Sequence, residues 1–229
     1  MAAPTPRDST PTVTSSGTNV TAPTLTLAPH QTGDYLLIFL AVRGVTTITP
    51  PGAWAYVKGG ITGGIALGLY QQSVLAASNS ETNPQFTFNT GCQYTSHAYS
   101  VPMPNSGTIN RAGATHTSGT GTSADPPSLT SFGGTQDNLW FAAASASGAT
   151  VISSGPTGYT NFSANTGANG SGVSLGSAWK TALASVTDDP SAFTLGASVN
   201  WMADTLAIWD PVSGGGGGTH VATNMLLGI

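Results

Sequence analysis

Residues 35–42 read YLLIFLAV, eight apolar side chains in succession. That run is short for a helix, and it fits a strand whose two faces are both buried. Residues 85–89 (QFTFN) alternate with period two and put Phe86 and Phe88 on one face. Strand-compatible patterns recur at residues 20–27, 65–75, 94–101, 138–146, 173–185, 192–197 and 201–209. Turn clusters lie between them: Thr49-Pro50-Pro51-Gly52, Ser153-Ser154-Gly155-Pro156 and Asp188-Asp189-Pro190. No segment carries a capped amphipathic helix, although Ala-rich residues 179–185 are the least strand-like of the set. The pattern predicts an all-β sandwich.

The pattern also repeats. Gly33-Asp34 before an apolar strand, Thr49-Pro-Pro-Gly-Ala-Trp54, Ala66-Leu67-Gly68 and Pro84-Gln-Phe86 are echoed in the second half. The echoes are Gln136-Asp137, Gly155-Pro-Thr-Gly-Tyr159, Ser174-Leu175-Gly176 and Pro190-Ser-Ala-Phe193. Asp34 and Asp137 stand 103 residues apart, Phe86 and Phe193 107. Two similar half-sandwiches in one domain account for this, since a jelly roll is itself two Greek keys; two tandem sandwiches of about 100 residues are the alternative. The predicted organisation is an extended N-terminal arm over residues 1–20, the sandwich over 21–212, and a Gly-rich linker with an apolar tail over 213–229.

Composition narrows the partners. Charged residues are 6% of the chain, against roughly 25% in an average soluble domain. The surface is therefore expected to be Ser, Thr, Asn, Gln and Gly. Five basic residues cannot supply the stripe that neutralises several phosphates, which argues against nucleic acid and against anionic membranes. No apolar run approaches the roughly 18 residues of a membrane span, and no basic-then-apolar secretory signal opens the chain. Without secretion, the glycosylation patterns at Asn19, Asn161 and Asn169 read as chance. The single cysteine, Cys92, cannot form an intrachain disulfide.

The succession GDYLLIFLAV, TPPGAW, LYQQ, FTF, YTSHAYSV and QDNLWFAA resembles a group of tailed-bacteriophage virion proteins. Those proteins share strands around GDLLLAF and TPPAGW-like turns; here Gly52 and Ala53 stand in exchanged order. The resemblance covers roughly residues 20–210. It implies a jelly-roll fold and a place on the outside of a phage particle, as a capsid decoration (cement) protein, a head fibre or a tail fibre. It implies no catalytic residues.

Candidate chemistry is sparse. Gly172-Val-Ser174-Leu-Gly176 matches the nucleophile-elbow pattern, but that motif needs a strand turning into a helix, and a strand is expected here. His30, His97, His116 and His220 have no short spacing that would aim two imidazoles at one metal. Asp188-Asp189 reads as a turn before Pro190 rather than a cation site. Asp34 and Asp137 are expected to accept backbone N–H groups in Asx-turns, Arg43 to pair with a carboxylate, and Cys92 to be buried. Neither a cofactor nor a metal is expected. Among the aromatics, Trp54 and Tyr56 beside the Pro-Pro-Gly turn are the candidate sugar-stacking pair, while Trp140, Trp179, Trp201, Trp209, Tyr70, Tyr94 and Tyr99 read as core or interface.

The C-terminal tail holds the candidate assembly contacts Val221, Met225, Leu226, Leu227 and Ile229, with no charged side chain in the last ten residues. An apolar tail on a flexible linker is suited to docking on a neighbour. The expectation is a non-enzymatic virion subunit: a homotrimeric capsid decoration protein, made in the host cytoplasm and bound to the major capsid protein or other virion subunits. A fibre module that binds a host-surface glycan is the alternative, and a polysaccharide hydrolase the third reading.

Overall fold

The computed structural model describes residues 3–73, 81–103, 110–113, 115–131, 135–166 and 172–209, and among them there are strands and no helix. The first half contains β1 (Thr12–Val20), β2 (Asp34–Arg43), β3 (Ile48–Thr49), β4 (Ala55–Thr62), β5 (Ile65–Ser73), β6 (Thr87–Phe88) and β7 (Cys92–Pro102). The second contains β8 (Asn110–Gly113), β9 (Thr117–Ala124), β10 (Leu129–Thr130), β11 (Gln136–Ser147), β12 (Ile152–Ser154), β13 (Thr160–Thr166), β14 (Val173–Ser185), β15 (Thr187–Asp188) and β16 (Phe193–Trp209).

The repeat in the sequence is a repeat in the topology. One sheet runs β1-β7-β2-β5-β4; in the other, β16-β11-β14-β13 follow in the same sense, with β9 paired to β16 as β1 is to β7. The β3–β6 clip also has its counterpart, where β12 pairs with the start of β16. Each sheet is drawn whole from one half of the chain, so the halves pack against each other without exchanging strands. The sandwich of two similar halves forms, and its likeness to a jelly roll stops at the two-sheet architecture.

The apolar run of β2 has the cause predicted for it. Tyr35, Leu37, Phe39 and Ala41 enter the core between the sheets, where they meet Leu139, Phe141 and Ala143 of β11. Leu36, Ile38, Leu40 and Val42 face the other way, under Leu25, Trp54, Phe86 and Phe88. The outer face of β11 carries Ala142, Ala144 and Ala146, whose small side chains admit Phe193 and Ile152. Phe39 and Phe141 are 102 residues apart, one fewer than Asp34 and Asp137. The register irregularity opposite Gln136 and Asn138 lies in β14, where three steps from Ala182 to Ser185 face two in β11.

The N-terminal arm differs from expectation over residues 12–20, which form the edge strand β1. The segment before it is anchored. Arg7 donates from Nε and one Nη to both oxygens of Asp34 at 2.6 and 2.7 Å. Ser100 Oγ and the Gln31 N–H, each at 2.7 Å, donate to the same carboxylate. Asp34 is therefore not the centre of an Asx-turn; it ties the arm to β2 and β7. Burial opposes its ionisation, but the bonds from Arg7, Ser100 and Gln31 outweigh that and hold its pKa below the ordinary value. Asp137 accepts the N–H of Ala184 from the neighbouring strand. Further along the arm, the Ser9 carbonyl accepts the Trp179 indole N–H at 3.3 Å, so the arm touches both sheets.

His97 is wholly buried in β7, and desolvation pushes its pKa down to about 3. The folded state binds fewer protons than the unfolded chain between that value and the ordinary one near 6.5, so acid costs stability there. The unfolding free energy from urea titrations should fall by ~4 kcal/mol from pH 7 to pH 3 through this group, with Asp34 adding to the loss below about pH 4. His97→Asn should flatten the part above pH 4. An unchanged pH profile in that variant would remove His97 from the account.

Candidate functional site

The site begins with an irregularity in an edge strand. In β4, Tyr56 pairs with Tyr70 and Lys58 pairs with Leu69, so one residue is inserted between them. Side chains two apart on a regular strand share a face, and the bulge breaks that rule. Tyr56 is left on the outer face of the first sheet, and Lys58 is turned inward. Gly59 permits it: its φ is +142°, and a Cβ there would lie 2.1 Å from the Leu67 carbonyl oxygen.

On the outer face, Tyr56 is the exposed end of an aromatic chain. Its ring lies 5.6 Å from Tyr70, Tyr70 lies 4.8 Å from Phe86 edge-on, and Phe86 lies 6.4 Å from Trp54. Tyr56 is 53% exposed and Trp54 only 6%. Trp54 is thus a buried support and not a contact surface, which corrects its place in the predicted sugar-stacking pair. A ring beside a Pro-Pro-Gly turn reads the same way in sequence whether it points out or folds under Leu25 and Phe86.

Tyr56 stands at the edge of a depression of about 360 Å³, lined also by Thr46, Thr47, Ile61, Gly68 and Tyr70. Gly68 lets the Tyr70 ring lie flat on the sheet, since a Cβ there would come within 2.7 Å of it. The Thr rim is held by Asn89, whose Oδ1 accepts the N–H groups of Thr46 and Thr47 while its Nδ2 donates to Thr46 Oγ1. An exposed ring, an apolar floor and hydroxyls on the rim suit a ligand with a flat apolar face and polar edges. The lining residues include no carboxylate, so they hold no acid–base pair for hydrolysis.

On the inner face, Lys58 Nζ lies 2.9 Å from Asp204 Oδ1 of β16 and donates to the Thr205 carbonyl at 3.3 Å. The two side chains are 11% and 2% exposed. Burial lowers the Lys58 pKa against the pull of Asp204, and burial raises that of Asp204 against Lys58 and His116. Burial and Asp204 also raise the Tyr56 pKa. A second polar contact crosses between the sheets at His97 Nδ1, 2.6 Å from Ser177 Oγ, which also meets Tyr99 OH at 2.7 Å.

Other sequence candidates fall into structural roles. Ser174 is buried within β14 and donates to the Gly148 carbonyl at 3.1 Å, with no helix after it. His30 Nδ1 lies 2.9 Å from the Ala28 carbonyl oxygen. Asp188 pairs with Lys180, whose ammonium sits 4.6 Å over the Tyr159 ring. Cys92 is buried and its thiol donates to the Thr90 carbonyl. Among the described residues no three His, Cys, Asp or Glu side chains gather as metal ligands. Val221, Met225, Leu226, Leu227, Ile229 and His220 lie outside the described residues.

Comparison with known proteins returns no match. No family model matches the chain, and neither a curated protein nor a solved structure does.

The site makes opposite forecasts for two neighbours. Tyr56→Ala should leave the melting temperature nearly unchanged, a stability effect within about 1 kcal/mol. Gly68→Ala should cost ~1–3 kcal/mol by forcing the Tyr70 ring off the sheet. Calorimetry on both variants checks this, and equal melting shifts would refute the packing described.

Proposed function

We propose that this chain is a structural subunit of a tailed-bacteriophage particle, a homotrimeric capsid decoration protein. It binds the outside of the head through the major capsid protein and neighbouring copies. The observation that supports this most is the chemistry of its sheet edges. Exposed edges in free-standing proteins are commonly blunted by charge. Yet β1, β9 and β13, each paired on one side among the described residues, read TVTSSGTNV, TSGTGTSA and TNFSANT without one Lys, Arg, Asp or Glu. Such edges are suited to strand addition by a neighbouring chain. The apolar tail after the Gly214–Gly218 run adds a second means of attachment. Attachment would stabilise the shell by mass action, because the subunit binds the assembled form and not the dispersed one.

The reading is tested by adding the purified chain to heads that lack it. The full chain should saturate the heads, and a chain ending at residue 213 should fail to attach. Full occupancy by the shortened chain would contradict the tail's part, and failure of the full chain to bind would contradict the function.

The Tyr56 depression favours a second reading, a fibre module that binds a host-surface glycan. Under it, signal on a glycan array should be lost in Tyr56→Ala while the variant stays folded. An array with no signal for the parent chain would exclude this reading.

A further inference from the structure

The contact between Lys58 and Asp204 does more than an ion pair needs to. A surface ion pair contributes little, and a buried one often costs more in desolvation than the attraction returns. Here two of the chain's fourteen charged side chains are buried facing each other between the sheets. Gly113 leaves room for the Lys58 methylenes, since a Cβ there would lie 2.7 Å from Lys58 Cδ. Gly60 likewise makes room for His116 and Met202, whose side chains come within 2.8 Å of where its Cβ would be. The lysine stem is thus accommodated at Gly113 on its way to the carboxyl group. Among the described residues neither Asp204 oxygen has a hydrogen bond of good geometry.

We propose that Lys58 and Asp204 are the precursors of an intramolecular isopeptide bond that joins β4 of the first sheet to β16 of the second. The reacting forms are the free amine and the protonated carboxyl group, reached when the ammonium passes a proton to the carboxylate it touches. Burial favours that neutral pair, lowering the Lys58 pKa and raising that of Asp204. The lone pair on Nζ attacks Cγ of Asp204, a carbon–nitrogen bond forms, and a carbon–oxygen bond breaks. The departing hydroxyl takes one proton from the nitrogen and leaves as water. No oxidant, reductant or cofactor enters.

The geometry supports each part of the step. At 2.9 Å from Oδ1, Nζ is within reach of the carbon bonded to that oxygen, and held reactants have effective concentrations far above those in solution. His116 acts against the protonated carboxyl group of Asp204, and burial outweighs it. The amide would retain one N–H on the nitrogen that already donates to the Thr205 carbonyl. Two buried charges would be replaced by a neutral group, which removes the desolvation cost that the ion pair carries. The link would also join the two sheets covalently, through β4 and β16.

Mass spectrometry of the purified full chain, incubated at neutral pH until its mass is constant, tests the proposal. The intact mass should be lower than that of the sequence by one water, and a digest should yield one branched peptide containing Lys58 and Asp204. Lys58→Arg and Asp204→Ala should both have the full mass of their sequences. A wild-type chain at its full sequence mass would overturn the proposal. So would a mass lower by one water without the branched peptide, or the same loss of water in Lys58→Arg.

Discussion

The structure depends on how one row of side chains in the first sheet meets one row in the second. Across the first sheet, His97, Phe39, Leu69 and Lys58 stand in register on neighbouring strands. Across the second, Ser177, Ala143 and Asp204 do the same. The rows lie against each other, with His97 meeting Ser177 at one end and Lys58 meeting Asp204 at the other. Phe39 fills the middle, packed on Phe141 and Tyr99. Apolar packing supplies the attraction but sets position weakly, because many offsets bury similar area. Two polar contacts at the ends of one row select a single offset, since a slip would leave a buried charge and a buried hydroxyl without partners.

That constraint explains why a chain so poor in charge places some of it inside. Asp34 holds the arm, and Lys58 with Asp204 fixes the sheets. What remains outside is mostly uncharged. The same bulge that turns Lys58 inward turns Tyr56 outward, so the inter-sheet lock and the surface depression share one cause in β4. A change at Gly59 would therefore disturb both.

Much of the fold was legible in the sequence, because central strands buried on both faces declare themselves. β2, β5, β7, β11, β14 and most of β16 follow the apolar runs. The Ala-rich residues 179–185 resolve as the end of β14, and residues 192–197 and 201–209 as one long strand, β16. The two- and three-residue β3, β10, β12 and β15 escaped, while residues 20–27, expected as a strand, hold only the end of β1 and one isolated bridge at Thr24. The longer strands that escaped were β1, β4, β8, β9 and β13, at the margins of the sheets and mostly rich in Thr, Ser, Gly and Asn. With one face half-buried and the edge open, they need no hydrophobic alternation, so they carry no periodic signal. For the same reason residues 12–20 read as an arm. In the candidate site, Tyr56 was legible as an aromatic beside a turn. The site roles of Tyr70, Asn89, Gly59 and Lys58 were not, since they arise from a bulge and from contacts between residues distant in sequence, 43 apart for Asn89 and Thr46 and 147 for Lys58 and Thr205, which composition does not encode.

Two similar halves form one unit because the rows between them are locked. Urea unfolding monitored together by far-ultraviolet circular dichroism and by tryptophan fluorescence tests it. Four tryptophans belong to the second half and Trp54 to the first, so fluorescence weights one sheet while circular dichroism reports both. One transition with coincident midpoints is expected. Two separated transitions, one for each sheet, would contradict it.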